Sequence, residues 1–308
     1  MKFALSKARL ASQPGGRPPA AVEISPEGVL AAAAPGPGQP PVYAFEPLPA
    51  GALVPGIGEP NLRAPEAISN AIRSVLSQVS PRTRAVTLVL PDTVVRVFML
   101  DFDTLPSKPL EAFPVLRFRL RKMVPFEVEH AGLSYQVLNE SKTECKVLAA
   151  ILPGPILAEY EAAVRAAGYE PGAVLSSGLA ALEAIESISS MEAVLMANLS
   201  AVALTTSITN GKDLLLYRTL DLPEEPSLRL EEVRRGIAVA AAYFEDKLQL
   251  KPRQLYYAGA GVAFDFGQWL GDEELTVAEL APRPETGIAT SLGSANLAGV
   301  VGALAGVS

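Results

Sequence analysis

Asn210-Gly211 is the dipeptide that most constrains this chain. Asn-Gly supplies the two positive-φ positions of a tight two-residue turn, so Ala193–Ile208 and Leu214–Leu220 on either side are expected to pair as a β-hairpin. An earlier hairpin is written more weakly. Ala20–Ile24 and Val29–Ala34 are short apolar strands, and Pro26-Glu27-Gly28 between them reads as a turn.

Each hairpin opens a similar succession of elements. After the first come a strand at Val42–Phe45 and an irregular stretch, Leu48–Pro60, punctuated by Pro49, Gly51, Pro55, Gly56 and Gly58. Pro65 then suits the first turn of a helix whose apolar face is Ile68, Ile72, Val75 and Leu76. Ala85–Leu90 is nearly all apolar, as a central strand is, and Val94–Leu100 alternates. After the second hairpin come a long helix, Leu228–Leu248, with Glu231 and Glu232 in its first turns, and a strand, Leu255–Ala258. Gly259-Ala260-Gly261, a helix at Phe264–Leu270, a short strand at Thr276–Glu279 and a C-terminal helix at Ala295–Leu304 follow. The pattern is that of an α/β chain with two lobes.

The first pass carries an extra α/β block from Thr83 to Pro171. Inside it, Phe113, Leu116, Leu120 and Met123 recur at helical spacing, Pro125 stops that helix, and Leu133, Tyr135 and Val137 alternate as a strand. Cys145–Leu152 is a further strand. Pro155 opens a helix with Ile156, Tyr160 and Val164 on its face, and Gly168 closes it. A short strand at Val174–Leu175 and a helix at Gly178–Ile188 lead to the second hairpin.

Composition limits the function. Of 308 residues, 49% are hydrophobic and 19% charged, which supports a sizeable core. A net charge of −7 gives no general attraction for nucleic acid. The single cysteine, Cys145, excludes an internal disulfide framework and fits a reducing compartment. His130 is the only histidine, which excludes a multi-histidine metal site within one chain; beside Glu127 and Glu129 it reads as solvated. No secretory signal is expected at the N-terminus. Thr286–Ser308 is uncharged and long enough to span a membrane, but its glycines and polar residues favour a buried helix. Arg117, Arg119, Arg121 and Lys122 form a basic cluster on an acidic chain: a solvated face, or a contact for lipid head groups or an acidic partner. Trp269 is expected in the core.

Several short segments resemble one family when taken in order. They are Leu48-Pro49-Ala50-Gly51-Ala52-Leu53-Val54, then Leu90-Pro91-Asp92, then Val124-Pro125-Phe126 with Tyr135-Gln136-Val137-Leu138, then Ala167-Gly168-Tyr169-Glu170-Pro171. This order is similar to that of the type IV pilus assembly PilM family, in the actin-like ATPase superfamily and related to FtsA. The resemblance covers most of residues 20–305. It implies an actin-like ATPase fold: a first RNase-H-like lobe from 1–82 and 172–190, an inserted FtsA-type 1C subdomain from 83–171, and a second lobe from 191–308. The region between Leu220 and Arg234 is shorter than the family's, which implies a reduced 2B subdomain.

The function so implied is a cytoplasmic adaptor, peripheral at the inner membrane and held there indirectly through its partners. The expected partner is the cytoplasmic tail of a PilN-like inner-membrane protein, alongside other pilus-assembly or secretion components. A groove between the first lobe and its insertion is the expected docking place, with Val124, Pro125, Phe126 and Tyr135 marking the region. The GspL-like component of type II secretion is an alternative role.

ATP with Mg²⁺ is the superfamily's ligand, held by two Asp-Ile-Gly turns and a glycine nest. Here Glu23-Ile24-Ser25-Pro26 stands for the first turn, Asn198-Leu199-Ser200 (or, shifted by one residue, a turn with Ala197 at the Asp position) for the second and Gly259-Ala260-Gly261 for the nest; the second turn's carboxylate is lost in either register. Proline donates no N–H and serine lacks glycine's freedom, so Glu23, Ser25, Asn198, Ser200, Gly259 and Gly261 mark a degenerate nucleotide site. The expectation is a non-catalytic chain with no required cofactor or metal. A nucleotide-binding switch is the alternative; a sugar or acetate kinase would need an interlobe catalytic Asp in a suitable motif, and none was recognised.

Overall fold

Ala20–Ser25 (β1) and Gly28–Ala33 (β2) are almost wholly buried along their length, so this hairpin lies inside a sheet rather than at its edge. The computed structural model describes residues 17–36, 39–141, 143–185, 193–281, 292 and 295–305. β1 and β2 pair antiparallel with Val22 opposite Ala31. Ala85–Leu90 (β4) runs parallel to β1 with Val22 beside Leu88. Val42–Pro47 (β3) and Glu170–Ser176 (β8) complete a five-stranded sheet in the order β3-β2-β1-β4-β8.

Parallel neighbours need crossovers, and helices supply them. Pro65–Val79 (α1) joins β3 to β4 and buries Ile68, Ile72, Val75 and Leu76 against the sheet. Gly154–Ala166 (α3) leads into β8 and packs beside α1.

The second sheet repeats the arrangement. Ala193–Leu199 (β9), Ala203–Asn210 (β10), Asp213–Asp221 (β11), Gln254–Gly259 (β12) and Thr276–Glu279 (β13) lie in the order β11-β10-β9-β12-β13. In both sheets the third strand is outermost, the first is central, and the fourth and fifth are parallel to it. Pro226–Leu248 (α5) and Ala263–Leu270 (α6) are the helices of this half. The sequence showed one flank, 193–208, before Asn210-Gly211; the structure breaks it into β9 and β10. Ser200 makes that turn without glycine or proline: its Oγ accepts the Ala203 N–H at 3.0 Å, and its own N–H reaches the Ala203 carbonyl at 2.9 Å.

Arg96–Phe102 (β5), Gly132–Glu140 (β6) and Cys145–Leu152 (β7) form a third, antiparallel sheet in the order β5-β7-β6. Alternation along β7 decides what each face packs on. Val147, Ala149 and Ile151 meet Pro109–Leu120 (α2), while Leu148, Ala150 and Leu152 join the core of the first sheet. This sheet starts at β5. The sequence expectation opened the insertion at residue 83, but β4 is hydrogen-bonded between β1 and β8, as its continuous apolar run requires.

The C-terminal helix also departs from the expected division. Ala298–Ala305 (α7) follows the second sheet in sequence but packs on Ser177–Ile185 (α4) and on β1, β2 and β4 of the first. Small residues permit the approach: a Cβ on Gly302 would lie 1.7 Å from the Ala180 carbonyl oxygen. Arg17, ahead of β1, pairs with Glu183 of α4, and both side chains are buried. Much of the Thr286–Ser308 stretch lies outside the described residues; among those described, no helix is long and apolar enough to cross a membrane.

Candidate functional site

The carboxyl ends of the parallel strands β4, β8 and β9 meet where the two halves of the chain face each other. In open α/β sheets such ends form the binding crevice. Here they bring together Asp92, in a 3-10 turn after β4, Ser177 at the start of α4, and Asn198 near the end of β9. Glu23 of β1 and Thr205 of β10 complete the cluster, and all five are buried.

Asp92 is the hub. Its Oδ1 accepts the Gly178 N–H at 2.7 Å, at the first turn of α4. Its Oδ2 accepts the Thr205 hydroxyl at 2.6 Å and the Asn198 amide at 3.0 Å. Burial pushes the Asp92 carboxyl above its ordinary value, and these hydrogen bonds oppose that rise. The Asn198 amide also donates to Ser177 Oγ at 3.2 Å, and that hydroxyl donates to Glu23 Oε1 at 2.7 Å. Asn296, just before α7, donates to Asn198 Oδ1 at 3.0 Å. Thr205 reaches Thr219 of β11 at 2.8 Å. The two lobes are thus tied by side chains bonded directly to one another.

Glu23 is the least satisfied member. Among the described residues its Oε2 is buried without a hydrogen-bond partner, against Gly299 of α7, where a Cβ would come within 2.3 Å of it. Burial pushes the Glu23 carboxyl up to about 7; the Ser177 bond lowers it, and the neighbouring Asp92 and Glu27 charges raise it. The Tyr217 hydroxyl is also buried, near Ser176, Thr205 and Thr219, and a Cβ on Gly178 would lie 2.6 Å from it.

At the three turns marked in the sequence, the side-chain hydroxyls are engaged within their own turns. Ser25 Oγ donates to the Gly28 carbonyl at 3.1 Å within its own turn, and Pro26 offers no N–H. Ser200 is likewise spent on its turn, accepting the Val202 N–H at 3.3 Å as well as that of Ala203. At the third turn the Tyr257 hydroxyl donates to the Ala260 carbonyl at 3.0 Å and lies over Gly259, where a Cβ would be 2.2 Å away. Gly261 takes φ +84° in open space. Of the six residues marked in the sequence, only Glu23 and Asn198 come together, through Ser177. Asp92, Ser177, Thr205 and Asn296 join them without belonging to any of the three turns. Asp92 carried a signal, a charged residue directly after the all-apolar strand and Pro91. Among the described residues there is no group of three or more His, Cys, Asp and Glu side chains placed to hold a metal ion.

A groove of about 680 Å³ lies elsewhere, between α1 and α3. Leu62, Pro65, Ser69 and Arg73 form one wall; Glu159, Ala162 and Ala166 form the other. Arg73 bridges the walls, donating to the Ala166 carbonyl at 2.8 Å and to Asn70 Oδ1 at 2.7 Å. Glu159 accepts the Asn61 N–H at 2.8 Å and the Leu62 N–H at 3.3 Å, and the Tyr160 hydroxyl donates to Asn61 Oδ1 at 3.0 Å. The groove is therefore framed by fixed polar groups around small apolar residues. Val124, Pro125, Phe126 and Tyr135 do not line it. Val124, Phe126 and Tyr135 pack with α2, Tyr135 meeting Phe113 edge-on at 5.4 Å, and Pro125 is exposed.

No family model matches the sequence, and no curated protein gives a significant match. Solved structures do. A chain of the PilM-PilN type IV pilus biogenesis complex is similar at TM-score 0.70 and 21% identity, over 94% of this chain and 98% of that one. The cytoplasmic domain of EpsL, an inner-membrane component of the type II secretion system of Vibrio cholerae, is similar at TM-score 0.50 and 13% identity, over 89% and 92%. The repeated sheet order and these likenesses give the chain the actin-like ATPase fold.

Proposed function

We propose that this chain is a non-catalytic adaptor of type IV pilus assembly that receives the cytoplasmic tail of a PilN-like inner-membrane protein between α1 and α3. It works at the cytoplasmic face of the inner membrane and meets further assembly components there. The observation that carries the reading is the groove itself, on a fold shared almost end to end with a chain of the PilM-PilN complex. Its volume, small apolar lining residues and fixed polar rim suit a short peptide segment laid along two helices. The filled interlobe crevice supports the non-catalytic half of the proposal, because every Asp92 and Asn198 atom a phosphate or Mg²⁺ would need is already bonded. The EpsL likeness supports a second reading, the equivalent component of a type II secretion system.

Capture of a synthetic PilN-like tail by the purified chain tests the proposal. Ala162 is exposed on the groove wall, so Ala162→Arg fills the groove without entering the core. It should weaken capture about tenfold or more, the loss of an apolar contact plus a clash. Unchanged capture by the variant would mean that the tail binds elsewhere. Failure of the unmodified chain to bind any such tail would remove the adaptor reading.

A further inference from the structure

Helix α2 has two apolar faces. Ala112, Leu116 and Leu120 are fully buried against the third sheet, as an amphipathic helix requires. On the opposite side Leu110, Pro114 and Phe118 recur at four-residue intervals, with Val115 beside them, and all are exposed. Leu110 is 71% and Phe118 69% exposed, values that set these side chains apart from ordinary half-covered surface residues.

A cationic end adjoins this strip. Arg117 turns inward to the Val128 and Ala131 carbonyls, and Arg121 pairs with Glu129. Arg119 and Lys122 are exposed and have no ion-pair partner among the described residues. Glu111, on the apolar side, is paired with Lys108 at 3.5 Å. Two uncompensated cations therefore flank an apolar strip on a chain whose net charge is −7. The helix covers the face of the third sheet that points away from the first lobe's core, so its outer side is clear of the rest of the fold.

We propose that the outer face of α2 is a docking surface for an anionic lipid bilayer. Phe118, Leu110 and Val115 enter the interfacial region, which accepts isolated apolar side chains without matching their shape, while Arg119 and Lys122 meet the lipid phosphates. The acidic remainder of the molecule is repelled by the same surface, which orients the chain with α2 toward it. This contact rests on α2 alone and does not depend on what the α1–α3 groove binds.

Co-sedimentation of the full chain with vesicles tests it, without any partner tail. Vesicles of phosphatidylglycerol and phosphatidylcholine should retain the chain at low salt, and vesicles of phosphatidylcholine alone should not. Arg119→Gln and Lys122→Gln should each weaken partition about fivefold, and together about 25-fold. Phe118→Ser should weaken it about tenfold or more, with an unchanged melting temperature because the side chain is outside the core. Equal retention by both vesicle types, no retention by either, or retention that survives these substitutions would overturn the assignment and leave the face to a protein partner.

Discussion

Glu23 sits between a hydroxyl that favours its ionised form and a burial that opposes it, and burial is the larger effect. The consequence is a pH dependence with a fixed sign. The unfolded carboxyl ionises near 4.5 and the folded one near 7, so the folded state holds an extra proton between those values. Its contribution to stability is complete below the lower value and is lost as pH rises through the upper one. The groups facing Glu23 are Asp92, Glu27, the Ser177 hydroxyl and the Gly299 segment of α7. Denaturant midpoints measured from pH 5 to pH 8 should fall in the native chain by on the order of 3 kcal/mol from this group. Glu23→Gln should remove that part of the slope; an identical slope in the variant would show that Glu23 ionises normally. Asp92 has a different role. Asp92→Ala leaves the Gly178 N–H, the Thr205 hydroxyl and one Asn198 donor without their common acceptor. A loss of about 3 kcal/mol or more is expected in the same measurement, since each buried orphan costs about 1–3 kcal/mol.

At the scale of elements, α7 shows how a helix can be placed by what its residues lack. Gly299 lets it pass Glu23, and Gly302 lets it reach the α4 backbone. Gly302→Val should force the two helices apart at a cost of about 1–3 kcal/mol. Limited proteolysis should then cut within 295–305 sooner than in the native chain; an unchanged cleavage pattern and melting point would show that the contact is slack. The small-residue character of this helix was legible in the sequence, but its partner was not, because glycine spacing signals close packing without naming a neighbour. The hairpin at Asn210-Gly211 was legible because turn chemistry is local, but the structure closes it one residue later. Asn210 pairs with Asp213, Gly211 and Lys212 form the loop, and only Gly211 takes a positive φ, +58°, as a turn with glycine at its first central position needs. The β9–β10 turn was not, because it depends on a serine side chain closing on its own backbone. Likewise α2 was read from its inner face alone; exposure of Leu110 and Phe118 is a fact of packing. Part of the site was visible as departures at Glu23 and Asn198. Asp92 and Ser177 matter only through contacts between residues 86 and 154 positions apart in sequence, which no periodicity reports.

For the whole molecule, the question is whether the two lobes still move. In an actin-like fold a ligand between the lobes can shift their equilibrium only by binding one arrangement better than the other. Here one arrangement is already held by Asp92 and Asn198 from inside and by α7 from behind, while Arg96 and Asp221 add an exposed ion pair at 2.9 Å between β5 and β11. The exposed pair contributes little, about 0–1 kcal/mol. The bonds at Asp92 and Asn198 are buried and supply most of the latch. A nucleotide bound between the lobes would compete with these bonds for Asp92 and Asn198. Melting with and without millimolar Mg-ATP measures the balance. A ligand present at about 100 times its dissociation constant adds about 2.7 kcal/mol, which raises the midpoint of a chain this size by several degrees. The latched structure predicts no rise for the native chain. It also predicts none for Asn198→Asp: the carboxylate restores the charge of a phosphate turn but sets a second acid against Asp92 and Glu23, so the midpoint should drop with or without nucleotide. A rise of several degrees in the native chain would mean that the lobes open readily and that the latch is one state of a switch rather than a permanent closure.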